Sequence, residues 1–143
     1  MYVGLVSTET APFFPGIAKL LEDIPSGVAV GALTNAAERY AHAVFKVNCE
    51  GKIYERFKSV RGADTVPKPK PSPDGLFLVS KEMGLSPVDC VYIGDSPSDG
   101  LAANAAGMTS VAVLWGSHSE VNLRSAPFTH CCKTSEDLRT LLC

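Results

Sequence analysis

A short apolar run that ends in glycine and leads into two aspartates constrains the fold of this chain more than any other feature. The run is Val91–Ile93, Gly94 follows it, and the acids are Asp95 and Asp99. β-Branched and aromatic residues in a run this short favour a buried strand, and open α/β sheets bind ligands beyond the carboxyl ends of their strands. Two carboxylates in one small loop repel each other and favour a bound cation. Hard oxygen ligands of this kind suit Mg²⁺.

Strand-like and helix-like segments alternate along the chain, which is the pattern of βαβ units around a parallel sheet. The sequence therefore predicts an α/β fold, a three-layer Rossmann-like sandwich. The first ten residues are ambiguous, because residues 2–6 could form a strand or the tail of a helix. Helices are predicted at 17–24, 36–47, 73–83, 98–106 and 136–142, and strands at 28–33, 57–60, 91–93, 109–115 and 128–132.

Composition narrows the class of protein. With 143 residues, of which 45% are hydrophobic and 20% charged, the chain is expected to form one globular domain. A net charge of −2 without a basic block beyond a Lys/Pro run argues against nucleic acid or an anionic membrane as partner. No apolar run has the length of a bilayer span, and no signal peptide is recognised. The five cysteines lack C-x-x-C spacing, so we expect buried thiols in a reducing compartment and a cytoplasmic location.

Polar residues that suit a phosphoryl group follow three consecutive predicted strands. A hydroxyl, an ammonium and an acid pair that holds a cation can together surround the oxygens of a transferring phosphoryl group. Helix amino termini at the same edge add backbone N–H groups. The candidate residues, in chain order, are Thr34, Asn35, Lys70, Asp95 and Asp99.

Each of these pieces also has a simpler interpretation. Thr34 and Asn35 could cap a helix, residues 67–73 could be a polyproline linker, and the two aspartates could be a turn residue and a helix cap. Their order and spacing together favour the phosphate site.

This order and spacing resemble the catalytic core of the haloacid dehalogenase-like hydrolases, in particular the phosphoglycolate phosphatase-like branch. Leu33-Thr-Asn35 is similar to the second motif of the family, Lys70-Pro-Ser-Pro-Asp74 is similar to the third, and Gly94-Asp-Ser-Pro-Ser-Asp99 matches the fourth. Pro12–Ile17 is similar to the segment that follows the family's cap insertion. Lys68 also precedes a proline, but the lysine at 70 has the acid and the helix start at the expected distance.

The resemblance implies a mechanism and a role for each residue. Phosphate would be transferred from a small phosphorylated metabolite in two steps through an aspartyl-phosphate, with Mg²⁺ as cofactor. Thr34 and Asn35 would bind the phosphoryl group, and Lys70 would offset its negative charge. Asp95 would ligate Mg²⁺, and Asp99 would complete the metal's outer shell or hold the lysine. Phosphoglycolate, a sugar phosphate and a nucleotide all remain open as substrates, and the three histidines receive no role.

The family's first motif, a strand followed by D-x-D-G-[TV] with the aspartate nucleophile, has no counterpart in this sequence. The chain contains no D-x-D, and its first aspartate, Asp23, lies in a predicted helix. One explanation is that the strand, the nucleophile and most of a helical cap lie upstream, which makes residues 1–11 a remnant of the cap before a core at 12–143. The other is that residues 1–11 are a degenerate first strand, with Ser7 and Glu9 in place of the two acids. The first explanation is preferred, because residues 12–17 follow residues 2–10 in the same way that the similar segment follows the cap in relatives.

Three expectations follow from the missing motif. Covalent catalysis by a carboxylate needs that carboxylate, so the chain as given is expected to be inactive or very weak. The alternative is a noncatalytic protein that binds phosphate, Mg²⁺ or a protein partner. A third interpretation, a response-regulator-like domain, does not explain the motif Lys70-Pro-Ser-Pro-Asp74. A sheet without its central strand would be less stable or would be covered by a homo-oligomer.

Overall fold

The computed structural model describes residues 2–5, 17–48, 54–115 and 118–142. The strands in this part of the chain are β1 (Tyr2–Leu5), β2 (Val30–Leu33), β3 (Phe57–Arg61), β4 (Cys90–Gly94), β5 (Thr109–Val113) and β6 (His130–Cys132). The helices are α1 (Ile17–Asp23), α2 (Glu38–Asn48), α3 (Asp74–Glu82), α4 (Pro97–Ala106), α5 (Glu120–Arg124) and α6 (Ser135–Leu142).

The six strands form one sheet in the order β3-β2-β1-β4-β5-β6, and every pairing is parallel. From β1, strands β2 and β3 are added on one side of the sheet, and β4, β5 and β6 are added on the other side. The strand order therefore reverses between β1 and β4. Ligands of open α/β sheets bind at such a switch point, outside the carboxyl ends of the strands. The predicted α/β class with a parallel Rossmann-like sheet is confirmed.

The centre of the sheet is β1, which corrects one expectation. Val3 lies opposite Val30 of β2 and Val91 of β4, so β1 is paired on both of its edges. Of the two alternatives for the start of the chain, the structure has the strand at residues 2–5; the expectation of a missing first strand and a helix tail there is wrong. The gap that an oligomer was expected to cover is filled. Ser7, Glu9 and the proposed boundary at residue 11 lie outside the described residues.

Apolar side chains cover both faces of the sheet, because successive residues of a strand point to opposite faces. On β2, Leu33 packs with α3 and α4, whereas Val30 and Ala32 pack with α1 and α2. On β4, Tyr92 joins the first cluster, and Ile93 packs with α1 and α6. The helices therefore lie in two layers around the sheet, as predicted.

Element boundaries differ from the predicted ones by a few residues. Strand β6 is shorter than the predicted 128–132, and β5 ends at Val113 rather than at 115. Helix α5 was not predicted; its sequence signal is Ser119, whose hydroxyl accepts a hydrogen bond from the Asn122 N–H at 3.3 Å. None of the helices in the described ranges is long and apolar enough to cross a membrane.

Candidate phosphate and metal site

A buried ion pair joins two of the predicted site residues. The Lys70 ammonium nitrogen lies 2.6 Å from Oδ1 of Asp99, and the side chains are 3% and 0% exposed. The second carboxylate oxygen, Oδ2, accepts hydrogen bonds from the N–H groups of Asp95 at 3.0 Å and Ser96 at 3.1 Å. Both oxygens of Asp99 are thus engaged by the protein. Of the two roles predicted for Asp99, the contacts are those of a carboxylate that holds the lysine; its place in the outer shell of a metal ion stays a prediction.

The backbone at the end of β4 allows this carboxylate to lie where it does. A Cβ atom at Gly94 would lie 2.4 Å from both Cβ and Oδ2 of Asp99, a distance that non-bonded carbon atoms do not tolerate. Pro97 then opens α4, where its missing N–H costs nothing. Asp99 sits in the first turn of that helix, where the helix dipole favours a negative charge.

Tyr92 belongs to the candidate site but is not among the residues predicted from the sequence. Its side chain is almost fully buried, and its hydroxyl lies 3.3 Å from the Leu33 carbonyl oxygen and 3.5 Å from Oδ1 of Asp99. The Lys70 ammonium lies 5.7 Å from the centroid of the Tyr92 ring, within the range of a cation–π interaction. The available signal was its position two residues before Gly94, on the strand face that α3 and α4 cover.

Thr34 and Asn35 follow β2, as predicted, but make different contacts. Thr34 is buried, and its hydroxyl accepts a hydrogen bond from the Ala36 N–H at 3.0 Å. This contact lies in the turn before α2, whereas the simpler interpretation was a helix cap. Asn35 reaches across to the main chain of Lys70: its Oδ1 accepts from the Lys70 N–H at 3.2 Å, and its Nδ2 donates to the Lys70 carbonyl at 3.4 Å. Lys70 is therefore in contact with Asn35 through its main chain and with Asp99 through its ammonium.

Asp95 is a buried carboxylate at the carboxyl end of β4. Burial raises its pKa, and the negative charge of Asp99 raises it further, while the positive charges of Lys70 and His118 act in the opposite direction. Within the described part of the chain, no side chain donates a hydrogen bond to this carboxylate. Such a group is suited to a cation. His118, to which the sequence assigned no role, follows β5 and lies close enough for its charge to act on Asp95.

The donor set for a metal ion is small. Among residues 2–5, 17–48, 54–115 and 118–142, no three His, Cys, Asp or Glu side chains form a metal-binding group. A cation at Asp95 would take its remaining ligands from water, from the phosphate of a substrate, from the backbone or from residues beyond those ranges. Mg²⁺ binds in this manner, since it keeps several waters and uses one or two carboxylates.

A network of charged side chains fastens the loop that carries Lys70. Arg61, at the end of β3, pairs with Glu82 through Nε–Oε1 at 2.7 Å and Nη2–Oε2 at 2.5 Å, and its Nη1 lies 3.3 Å from Glu38. The Thr65 hydroxyl lies 3.1 Å from the same Glu38 oxygen. The hydrogen bond from Arg61 lowers the pKa of Glu82. No sequence signal identified these contacts, because their partners are far apart along the chain.

Comparison with known proteins agrees with the fold and with the motifs. A family model described as haloacid dehalogenase-like hydrolase matches residues 2–113. The chain is 34% identical over 116 residues to phosphoglycolate phosphatase 1 of Pseudomonas aeruginosa, covering 80% of this chain and 42% of that protein. It is 35% identical over 116 residues to a phosphoglycolate phosphatase of Xanthomonas campestris pv. campestris, covering 80% and 51%. The chain spans about half the length of the curated relatives it matches.

Solved structures show the same arrangement of strands and helices. A hydrolase from Pseudomonas syringae superposes with a TM-score of 0.78 at 26% identity, covering 90% of this chain and 60% of that one. A HAD-superfamily hydrolase from Geobacter sulfurreducens superposes with a TM-score of 0.70 at 26% identity, covering 90% and 55%. With a matching family model over most of its length, and with relatives that share both sequence and fold, this chain belongs to the haloacid dehalogenase-like hydrolase family.

Proposed function

We propose that this chain carries the phosphate-holding core of a Mg²⁺-dependent phosphomonoester phosphatase that acts on a small phosphorylated metabolite. The observation that carries the proposal is the buried Lys70–Asp99 pair next to the buried Asp95 carboxylate, at the switch point of a parallel sheet. An ammonium that is already held in place stabilises the charge that develops on phosphoryl oxygens, because the ammonium does not have to move during the reaction. Because the curated relatives are named phosphoglycolate phosphatases, phosphoglycolate is the first natural substrate to test.

In this proposal each residue has one task. Lys70 offsets the negative charge of the phosphoryl group, and Asp99 keeps the ammonium in place. Thr34, buried at the end of β2, offers its hydroxyl hydrogen to a phosphoryl oxygen. Asp95 holds Mg²⁺, which when bound neutralises charge on the phosphoryl oxygens. The free thiols of Cys90, Cys131 and Cys132 support the reducing, cytoplasmic location that is part of the proposal.

Turnover by the 143-residue chain is expected to be very low or zero. The two-step chemistry of the family needs an aspartate nucleophile, and the sequence contains no D-x-D. A second function, phosphate or Mg²⁺ binding without turnover, is favoured by one observation. The Lys70–Asp99 pair is complete and buried although that nucleophile motif is lacking.

The test is Mg²⁺-dependent hydrolysis of p-nitrophenyl phosphate by the purified chain, beside Asp95→Asn and, as a matched control, the exposed Asp89→Asn. Binding of inorganic phosphate with and without Mg²⁺ is measured by calorimetry on the same three proteins. Turnover that Asp95→Asn alone abolishes would show a nucleophile within this chain. Mg²⁺-dependent phosphate binding without turnover, lost in Asp95→Asn, supports the binding function. If all three proteins neither bind phosphate nor turn over, both the phosphatase function and the phosphate-binding function are excluded.

A further inference from the structure

We propose that Asn35 is a positioning residue: it holds the main chain of Lys70 and acts on a bound phosphate through that lysine. The effect of Asn35 on phosphate binding rests on the proposed function. The contact between Asn35 and Lys70 does not depend on it. The sequence alone predicted that Asn35 would touch the substrate.

The contact uses both ends of the side-chain amide. Oδ1 of Asn35 accepts the Lys70 N–H at 3.2 Å, and Nδ2 donates to the Lys70 carbonyl oxygen at 3.4 Å. An asparagine side chain has the same donor and acceptor groups as a peptide unit, so it pairs here as a neighbouring strand would. Within the described part of the chain, no backbone group forms a hydrogen bond with the N–H or the carbonyl oxygen of Lys70.

The composition of the loop explains why a side chain must do this. Residues 67–73 alternate proline with other residues and contain four prolines, each of which lacks an N–H donor. The Ser72 N–H is used within the loop, on the Pro69 carbonyl at 3.0 Å. The loop therefore has few backbone hydrogen bonds of its own, and the amide of Asn35 supplies two from the adjacent loop after β2.

Lys70 is consequently held at both ends. Asn35 fixes its main chain, and Asp99 fixes its ammonium at 2.6 Å, above the Tyr92 ring. A long, flexible side chain loses much conformational entropy when it is immobilised. Anchoring it before a phosphate arrives removes that cost from the binding step.

The experiment measures the accessibility of the Lys70 amine in the absence of any ligand. Wild type, Asn35→Ala and Asn104→Ala are labelled with limiting acetic anhydride, and acetylation at each lysine is quantified by mass spectrometry. Asn104, an exposed residue on α4, is the matched control. Loss of hydrogen bonds that close the loop raises the population of the open loop. We expect Lys70 acetylation to rise about fivefold in Asn35→Ala, the effect of one net hydrogen bond, because the two bonds that are lost are long, at 3.2 and 3.4 Å. Lys58, Lys68 and Lys81 serve as internal standards and should not change.

Inorganic phosphate binding, measured on the same proteins, separates this inference from the proposed function. A selective rise at Lys70 together with weaker phosphate binding supports both. A selective rise in proteins that bind no phosphate supports the positioning role and contradicts the proposed function. If Lys70 acetylation is unchanged while phosphate binding weakens, Asn35 contacts phosphate directly and the inference is overturned. It is also overturned if all lysines become more reactive, since Asn35 would then support the fold in general.

Discussion

At the scale of single residues, the candidate site contains a charge pair that is almost fully buried. Lys70 and Asp99 are both buried, and the carboxylate also accepts two backbone hydrogen bonds. Removing two charges from water is costly, so such a pair contributes little net stability compared with a well-packed apolar pair. Removing one partner leaves an uncompensated buried charge and is strongly destabilising.

Lys70→Met should therefore lower the free energy of unfolding by about 3–5 kcal/mol, because the Asp99 carboxylate loses its counter-ion. Lys68→Met is the matched control, since Lys68 is exposed and also precedes a proline; it should change the free energy by less than about 0.5 kcal/mol. Urea denaturation near neutral pH measures both. Equal effects in the two variants would mean that the site does not depend on the lysine at 70.

At the scale of secondary-structure elements, the site depends on how closely β4 and α4 approach each other. The chain turns from strand to helix within a few residues, and Gly94 leaves the space that Asp99 fills. Glycine is used here for the close contact rather than for an unusual backbone angle. A second contact between elements is made by Arg61 at the end of β3. Its guanidinium pairs with Glu38 of α2 and with Glu82 of α3, and so connects the two helices.

Gly94→Ala should destabilise the protein by about 1–3 kcal/mol, because the new methyl group overlaps the Asp99 side chain and one of the two must move. Gly27→Ala is a suitable control, since a Cβ atom at Gly27 would meet no atom within 4 Å. Thermal and urea unfolding of both variants compare the two sites. A neutral Gly94→Ala would show that α4 can shift away from β4 without cost.

Arg61→Met should lower the free energy of unfolding near neutral pH by about 1 kcal/mol, the size expected for a partly exposed bidentate pair. The pKa of Glu82 is lower in the folded protein than its usual value of 4.5. The stabilisation is therefore present above that usual value and is lost as the pH falls through the lowered one. Wild type and variant should accordingly converge in acid. Urea denaturation as a function of pH measures this, with the exposed Arg39→Met as a control that should match wild type throughout.

At the scale of the whole molecule, β1 completes the parallel sheet and lies beside β4, which carries the acidic loop. In the sequence, Ser7 and Glu9 follow this strand at the spacing of the family's D-x-D. The sheet therefore has its central strand, while Ser7 stands at the position where the family's first motif has its nucleophilic aspartate.

Ser7→Asp combined with Glu9→Asp should create Mg²⁺-dependent hydrolysis of p-nitrophenyl phosphate, because the double change provides a nucleophile and an acid after β1. Glu9→Asp alone supplies the acid without the nucleophile and should stay at the background rate. Adding Asp95→Asn to the active double variant should abolish the gain. If the double variant is inactive although it is folded and binds phosphate, residues 2–10 do not stand in for the family's first motif.

Much of the site could be predicted from sequence because its residues lie in short motifs with fixed spacing. Gly94, Asp95 and Asp99 belong to one strand-to-helix turn, and local geometry decides where they point. Tyr92 was missed because a tyrosine in a strand is usually only a core residue. The contacts of Asn35 and Arg61 were missed because their partners are 35 and 21 residues away in sequence.

By itself, the sequence determined the α/β class, the alternation of strands and helices, and the residues that collect at the carboxyl edge of the sheet. These depend on hydrophobic periodicity and on turn residues, which act over a few positions. Only the tertiary structure decided that residues 2–5 are the central strand, that Asp99 holds Lys70, and that Asn35 reaches the lysine's main chain. Each of these depends on pairing between distant segments, where burial and hydrogen bonding select one of several arrangements that the local sequence permits.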